Sequence, residues 1–376
     1  MARKLRYQPE NVCYHVVTRI AHREFFFDDV EKDIVVKLIS NVAIFTGVQV
    51  LAYCVMSNHL HLMLFIEKPS NLLAWEQAGY FLDYNFDRCK EGDVYRVSEY
   101  TAFSQSDVDE FRRLKEMSSL ERYEMTSEEL IIRLKTVMRP KAFENLMLEW
   151  QKLRPEELEA EYERQLSRMY DLSAFMKILK QDISQYYNVR HKHTGGLWEG
   201  RFKDSIIERS VEAMSSVATY IDLNPWRAHL VEDPADYKWS SWGAAMNSHC
   251  SHGGLTPAGR SPEGSDPTGC PAGSGYNFIY DTGSSWDTVR EVHQQQLTNR
   301  MSKDTAEAAE REEAVFTSGA IIGKESFVRR VVEMEEEAFP NGHKSAPTTF
   351  TVGDTKLTTL RNLGILRGGA NAKKPC

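Results

Sequence analysis

QVLAYCVMSNHLHLMLFI, residues 49–66, consists of two apolar runs broken only by Ser57 and Asn58. Val48–Val55 and Leu60–Ile66 read as strands, joined through Met56-Ser57-Asn58. Residues two apart in a strand share a face, so His59 and His61 present two imidazoles side by side. Leu60, Leu62 and Leu64 then turn the other way, into a core. Neutral imidazoles held on a rigid sheet bind divalent metals. The H-x-H string is short and common, and two polar residues on the solvated face of an edge strand are the competing reading.

Working outward, Val12–Ile20 (VCYHVVTRI) alternates well enough for a first strand. Asp28–Phe45 reads as a helix, with Asp28 as cap and Val35, Leu38, Ile39 and Val42 on its apolar face. A charged, helix-rich stretch follows to about residue 170, and its end (EELEAEYERQLSRMY) is polar on most faces, as in a solvent-facing helix or arm. Leu172–Tyr187 is amphipathic, with Phe175, Ile178, Leu179, Ile183 and Tyr186 on one stripe. A loop around Gly195-Gly196 leads to a strand over Leu197–Ile207. Ser210 then caps a helix carrying Val211, Met214, Val217, Ala218, Tyr220 and Ile221, which Pro225 should stop. Without the charged stretch the order is βαββαβ and a helix, the split βαβ of ferredoxin-like folds. The expected class is α+β: an antiparallel sheet with helices on one face, a helical insertion and a C-terminal extension.

The expected organisation is a catalytic domain of 1–70 and 171–246, a charged helical insertion 71–170 and a flexible linker 247–286. A small helical segment 287–340 and a disordered tail 341–376 follow. Dense Gly and Pro mark the linker. His249, Cys250 and His252 lie in it with no partner cluster, so a metal site there is disfavoured. Six scattered cysteines without a CxxC pair indicate neither a zinc ribbon nor a disulfide framework. The basic N-terminus lacks an apolar run and no stretch reaches the length of a membrane span, so the expected compartment is the cytoplasm. The net charge of −8 is concentrated in the appended segments: residues 72–170 carry 15 Lys and Arg against 21 Asp and Glu, and 176–240 carry 9 against 9. A near-neutral core can hold a basic groove. Arg3, Lys4, Arg6, Arg190, Lys192, Arg201 and Lys203 are the candidates for phosphate contact, with ordinary surface solvation as the alternative.

Taken together, His59-Leu60-His61, Gly196-Leu197-Trp198-Glu199-Gly200-Arg201-Phe202, Tyr220-Ile221-Asp222-Leu223-Asn224-Pro225 and Tyr237-Lys238-Trp239-Ser240-Ser241 resemble a known family. It is the single-tyrosine HUH transposases, and within them the REP-associated tyrosine transposases. The resemblance covers roughly residues 5–70 and 172–243, with four motifs in the right order. It implies the ferredoxin-like fold and Tyr220 as the catalytic nucleophile. It also implies a divalent ion, Mg²⁺ or Mn²⁺, on His59 and His61. Such ions prefer six ligands, and Asn224, one helical turn from Tyr220, is the candidate third ligand. The implied reaction cleaves and rejoins single-stranded DNA beside a hairpin through a 5′-phosphotyrosyl intermediate. Of Trp198, Trp226, Trp239 and Trp242, at most one is expected to stack on unpaired bases. Two other classes stay open: a hairpin-binding protein without chemistry, and a replication-initiator-type nickase, although no GxxxxGK[ST] string occurs. The sequence leaves open whether the protein is a monomer or a homodimer.

Overall fold

A computed structural model describes residues 12–21, 27–82, 95–98, 101–103, 113–114, 116–247, 274–280, 285–317, 321–338, 347–352 and 355–360. The chain divides into two compact units, one of residues 1–43, 47–66 and 176–376, the other of 44–46 and 67–175. It begins with β1 (Val12–Arg19), α1 (Asp29–Thr46), β2 (Gln49–Val55) and β3 (His59–Phe65). Asp28 starts α1 with a capping box: its side chain accepts from Glu31 N while the Glu31 carboxylate accepts from Asp28 N. Gly47, at φ 71°, ends the helix in the left-handed conformation that glycine adopts without steric cost.

The second unit holds α2 (Ser70–Leu82), β4 (Tyr95–Ser98), β5 (Thr101–Phe103), α3 (Ser119–Arg122), α4 (Ser127–Val137), α5 (Pro140–Trp150) and α6 (Pro155–Leu166). Ser118 and Thr126 cap helices here, and Pro140 and Pro155 occupy first-turn positions where a missing N–H costs nothing. Leu130, Leu134 and Leu166 are fully buried and Trp150 meets Tyr162 edge-on, so this charged segment has a core of its own.

The chain continues with α7 (Leu172–His191), β6 (Lys203–Glu208), α8 (Val211–Arg227), α9 (Ser241–Met246), α10 (Ser274–Tyr280), α11 (Trp286–Lys303), α12 (Ala306–Phe316), β7 (Ile321–Gly323), α13 (Glu325–Ala338), β8 (Thr348–Val352) and β9 (Thr355–Leu360). The sheet order is β2-β3-β1-β6-β7-β9-β8, antiparallel throughout except where β6 meets β7. Its first four strands have the ferredoxin-like order. The two crossovers, β1 to β2 and β3 to β6, run in opposite senses along the sheet from oppositely directed strands. Right-handedness therefore puts α1 and α7 on one face. Their ends meet where Arg190 pairs with Asp28 and Glu31. α8 lies on the opposite face, with Cys13 Sγ 3.6 Å from Met214 Sδ. The sheet is therefore covered on both faces, which is why β1 and β3 are buried at almost every position.

The structure differs from expectation in several places: helices cover both faces of the sheet rather than one, and Ile321–Gly323 is a strand inside the segment read as helical. β6 begins at Lys203, because Leu197–Phe202 is a loop laid across the end of β1, bridging Trp198 to Ile20. α8 runs on through Pro225 to Arg227. Ser274–Tyr280 is a helix inside the stretch read as linker, with Tyr276 and Ile279 buried. His249, Cys250 and His252 lie outside the described residues. Finally, β8 and β9 fall in the stretch read as a disordered tail. Threonine-rich TTFTV and TKLTTL look polar, but threonine is β-branched and favours strands. Ile321 and Ile322 pair in parallel with Ile206 and Ile207, which seats the added strands on β6.

The Tyr237–Ser241 motif has a structural task. Trp239 O accepts from Val55 N (2.9 Å) and Tyr237 Oη donates to Val55 O (2.8 Å), closing the free edge of β2. Gly243 is required beside it, since a Cβ there would lie 2.0 Å from Tyr237 O.

Candidate active site at the histidine pair

The register places Arg19 opposite His59, Val17 opposite His61 and His15 opposite Met63. His15, Arg19, His59 and His61 thus share the face that α8 covers. His59 and His61 lie with ring centroids 4.9 Å apart, as alternation requires. His15, diagonal to His61, brings its Nε2 to 3.1 Å from His61 Nδ1. Its other nitrogen, Nδ1, lies 2.8 Å from Phe316 O. His59 Nδ1 lies 2.6 Å from Asn58 Oδ1. Among the described residues no hydrogen bond engages Nε2 of His59 or of His61.

Tyr220, from the middle of α8, sets its ring edge-on to His61 (5.7 Å) and to His15 (5.8 Å). Its hydroxyl has no hydrogen-bond partner among the described residues. α12 lies over this group: the Phe316 ring is 5.0 Å from that of Tyr220, and Glu313 pairs with Arg19 at 2.9 Å. Tyr220 is 3% exposed and His61 1%.

Burial sets the electrostatics. Desolvation lowers His15 to about 4 and His59 to about 4, with Arg19 adding to the fall at His59. His61 falls as well, first from burial and then from the neighbouring His59, His15 and Arg19. All three are neutral imidazoles at neutral pH, the form that metal ligation needs. Burial, reinforced by Glu313, raises the Tyr220 phenol above its ordinary value, against the pull of Arg227 and Arg19.

The donor set fits a share of a divalent ion's shell. Each of His59 and His61 has Nδ1 occupied and Nε2 unspent, so the pair could supply two donors, and other groups would have to complete a shell. Among the described residues, no group of three His, Cys, Asp or Glu is placed to enclose an ion. Asn224 has a different engagement from the one expected. Its Nδ2 donates to Tyr220 O (2.9 Å) and Ile221 O (3.2 Å). Pro225 has no N–H to give Ile221 O, so the amide of Asn224 supplies the missing proton and α8 continues. The oxygen of Asn224 is the atom a cation would take.

Asp222 turns to another cluster. Its Oδ2 accepts from Tyr276 Oη (2.8 Å) and His293 Nε2 (3.0 Å), and its Oδ1 from Ser241 Oγ (3.5 Å). Tyr280 Oη lies 2.7 Å from His293 Nδ1. This network fastens α10 and α11 to α8.

The basic candidates separate. Arg190 is spent on Asp28 and Glu31. Lys192, Arg201 and Lys203 are exposed, and Lys203, opposite Val17, is on the histidine face. Arg3, Lys4 and Arg6 lie outside the described residues. Trp242 is core, Trp198 donates to Lys180 O and Ser184 Oγ, Trp239 donates to Asp33, and Trp226 is half-buried. His15 was missed in the sequence because its partner depends on register. Phe316 was missed because nothing in the sequence places it near β1.

No helix among the described residues is long and apolar enough to cross a membrane. No curated protein matches the chain. One solved structure, described as a REP-associated tyrosine transposase bound to a REP hairpin, aligns over 71% of this chain and 94% of its own, at 11% identity and a TM-score of 0.33. Residues 8–74 match the family model described as IS200-like transposase. The likeness to IS200-like transposases therefore lies in the β1–α1–β2–β3 unit that carries His15, His59 and His61.

Proposed function

We propose that this chain cleaves and rejoins single-stranded DNA beside a hairpin, with Tyr220 as the nucleophile. One observation carries the reading. Helix α8, far from β3 in sequence, delivers an unbonded tyrosine hydroxyl to a pair of neutral imidazoles whose Nε2 atoms are also unbonded. The match of residues 8–74 to transposases supports it.

In this scheme Tyr220 Oη bonds to the phosphorus and the P–O3′ bond breaks. The phenolic proton leaves to solvent and the freed 3′ oxygen takes up a proton. The 5′-phosphotyrosyl link keeps the energy of the broken bond, and attack by a 3′-hydroxyl reverses the step. His59 and His61, with the oxygen of Asn224 as a third donor, would hold a Mg²⁺ or Mn²⁺ ion, which would supply Lewis-acid polarisation of the scissile phosphate. Lys192, Arg201 and Lys203, joined by Arg3, Lys4 and Arg6, meet the backbone phosphates. Access requires the Phe316 ring and the Arg19–Glu313 pair to give way. The Phe316 carbonyl, which also accepts from Ser205 Oγ at 3.1 Å, can stay in place as they do.

The covered, firmly protonated Tyr220 favours a second reading, a hairpin-binding protein without chemistry. Incubation with hairpin oligonucleotides bearing single-stranded flanks and Mn²⁺ separates the two. The first reading expects an SDS-resistant adduct that Tyr220→Phe abolishes while hairpin binding persists. Binding with no adduct from the wild type sustains the second.

A further inference from the structure

The tautomer of His61 follows from its neighbours. A main-chain carbonyl only accepts, so at 2.8 Å from Phe316 O the His15 Nδ1 must carry a proton. His15 is fully buried and has no carboxylate partner among the described residues, so it is neutral and its Nε2 holds a lone pair. That lone pair faces His61 Nδ1 at 3.1 Å, so His61 Nδ1 is the donor and His61 Nε2 keeps its lone pair. Asn58 Oδ1, also an acceptor, sets His59 the same way.

We propose that His15 is a positioning residue: by accepting the Nδ1 proton of His61 it leaves Nε2 as that ring's free metal donor. The inference rests on the metal reading of His59 and His61 and adds a residue that does not touch the ion. The Phe316 carbonyl fixes His15, and Ser205 Oγ, donating to the same carbonyl, fixes Phe316. A main-chain atom at the end of α12 therefore reaches the proposed ligand through two hydrogen bonds. His59 is set from a hairpin turn and His61 from the sheet interior, so the two rings are held independently.

The test uses the full-length, metal-free protein with ¹⁵N-labelled histidine, followed by Mn²⁺ titration. Wild-type His61 should show a single Nδ1-protonated tautomer. His15→Phe removes the acceptor, and His61 should then populate the Nε2-protonated form. The Mn²⁺ dissociation constant should rise about ten- to a hundredfold, the usual cost of losing an outer partner. His15→Gln, which can both donate to Phe316 O and accept from His61, should restore tautomer and affinity. This rescue separates positioning from a folding defect. An Nε2-protonated His61 in the wild type overturns the proposal. So does a His15→Phe protein that folds with wild-type tautomer and Mn²⁺ affinity. The expected wild-type tautomer with no Mn²⁺ binding would instead overturn the metal reading and leave the hydrogen-bond assignment standing.

Discussion

Two histidine–tyrosine clusters hang from the same helix, two residues apart, and they are finished differently. Around Asp222 the ring nitrogens of His293 and the hydroxyls of Tyr276, Tyr280 and Ser241 are all within reach of partners. Around Tyr220 the phenol and the Nε2 atoms of His59 and His61 are unspent, although Tyr220 and His61 are nearly as buried. A satisfied buried network holds a fold together. Polar atoms that no protein group engages, gathered at one spot, stay available to a ligand. The comparison teaches that histidine and tyrosine together are not the signal. Leftover bonding capacity is.

The comparison breaks first at Asp222. Asp222→Ala leaves His293 and Tyr276 without their shared acceptor in the core, and should cost about 3–5 kcal/mol of unfolding free energy, measured by urea titration. Tyr220→Phe in the same assay should change stability little, because its hydroxyl has no partner to lose. Comparable losses in both would erase the distinction. Slightly smaller is the loss on Phe316→Ala, about 3 kcal/mol for emptying a buried aromatic site. The same variant uncovers Tyr220, so adduct should form faster even as the melting temperature falls; a slower reaction would show that Phe316 is not a cover.

A third expectation concerns pH. His15 and His59 titrate near 6.5 in the unfolded chain and about 4 in the fold. The unfolded state therefore binds more protons between those values. Their contribution to stability is complete above about pH 6.5 and is lost as pH falls through about 4. His59→Ala should flatten that decline in the metal-free protein, and an unchanged profile would contradict the depressed value. Smallest of all is Asn224→Ala, which leaves the Ile221 carbonyl short of a donor beside Pro225. About 1 kcal/mol of lost stability is expected, with a higher Mn²⁺ requirement for cleavage if its oxygen also serves the ion.

Alternation in residues 59–65 and the Asp28 cap and apolar stripe of α1 made the ferredoxin-like core legible, because strand period and helix caps are local properties. The facing of His59 and His61 was legible for the same reason. His15 was not, since its meeting with His61 depends on how β1 and β3 slide into register. Pro225 misled because the compensating donor is a side chain, Asn224, rather than the backbone. The strand at 321–323 is only Ile-Ile-Gly and its pairing is set by distant β6, while those at 348–352 and 355–360 were hidden in threonine-rich, polar sequence. Phe316 and Glu313, which close the site, belong to a helix whose docking no local pattern encodes.

The most direct test of the central claim is to trap the protein on a radiolabelled hairpin substrate, digest it with trypsin and locate the nucleotide by mass spectrometry. The phosphodiester-linked nucleotide should be found on the peptide containing Tyr220 and on that side chain alone. A nucleotide on Tyr186, Tyr187 or any other residue would contradict it.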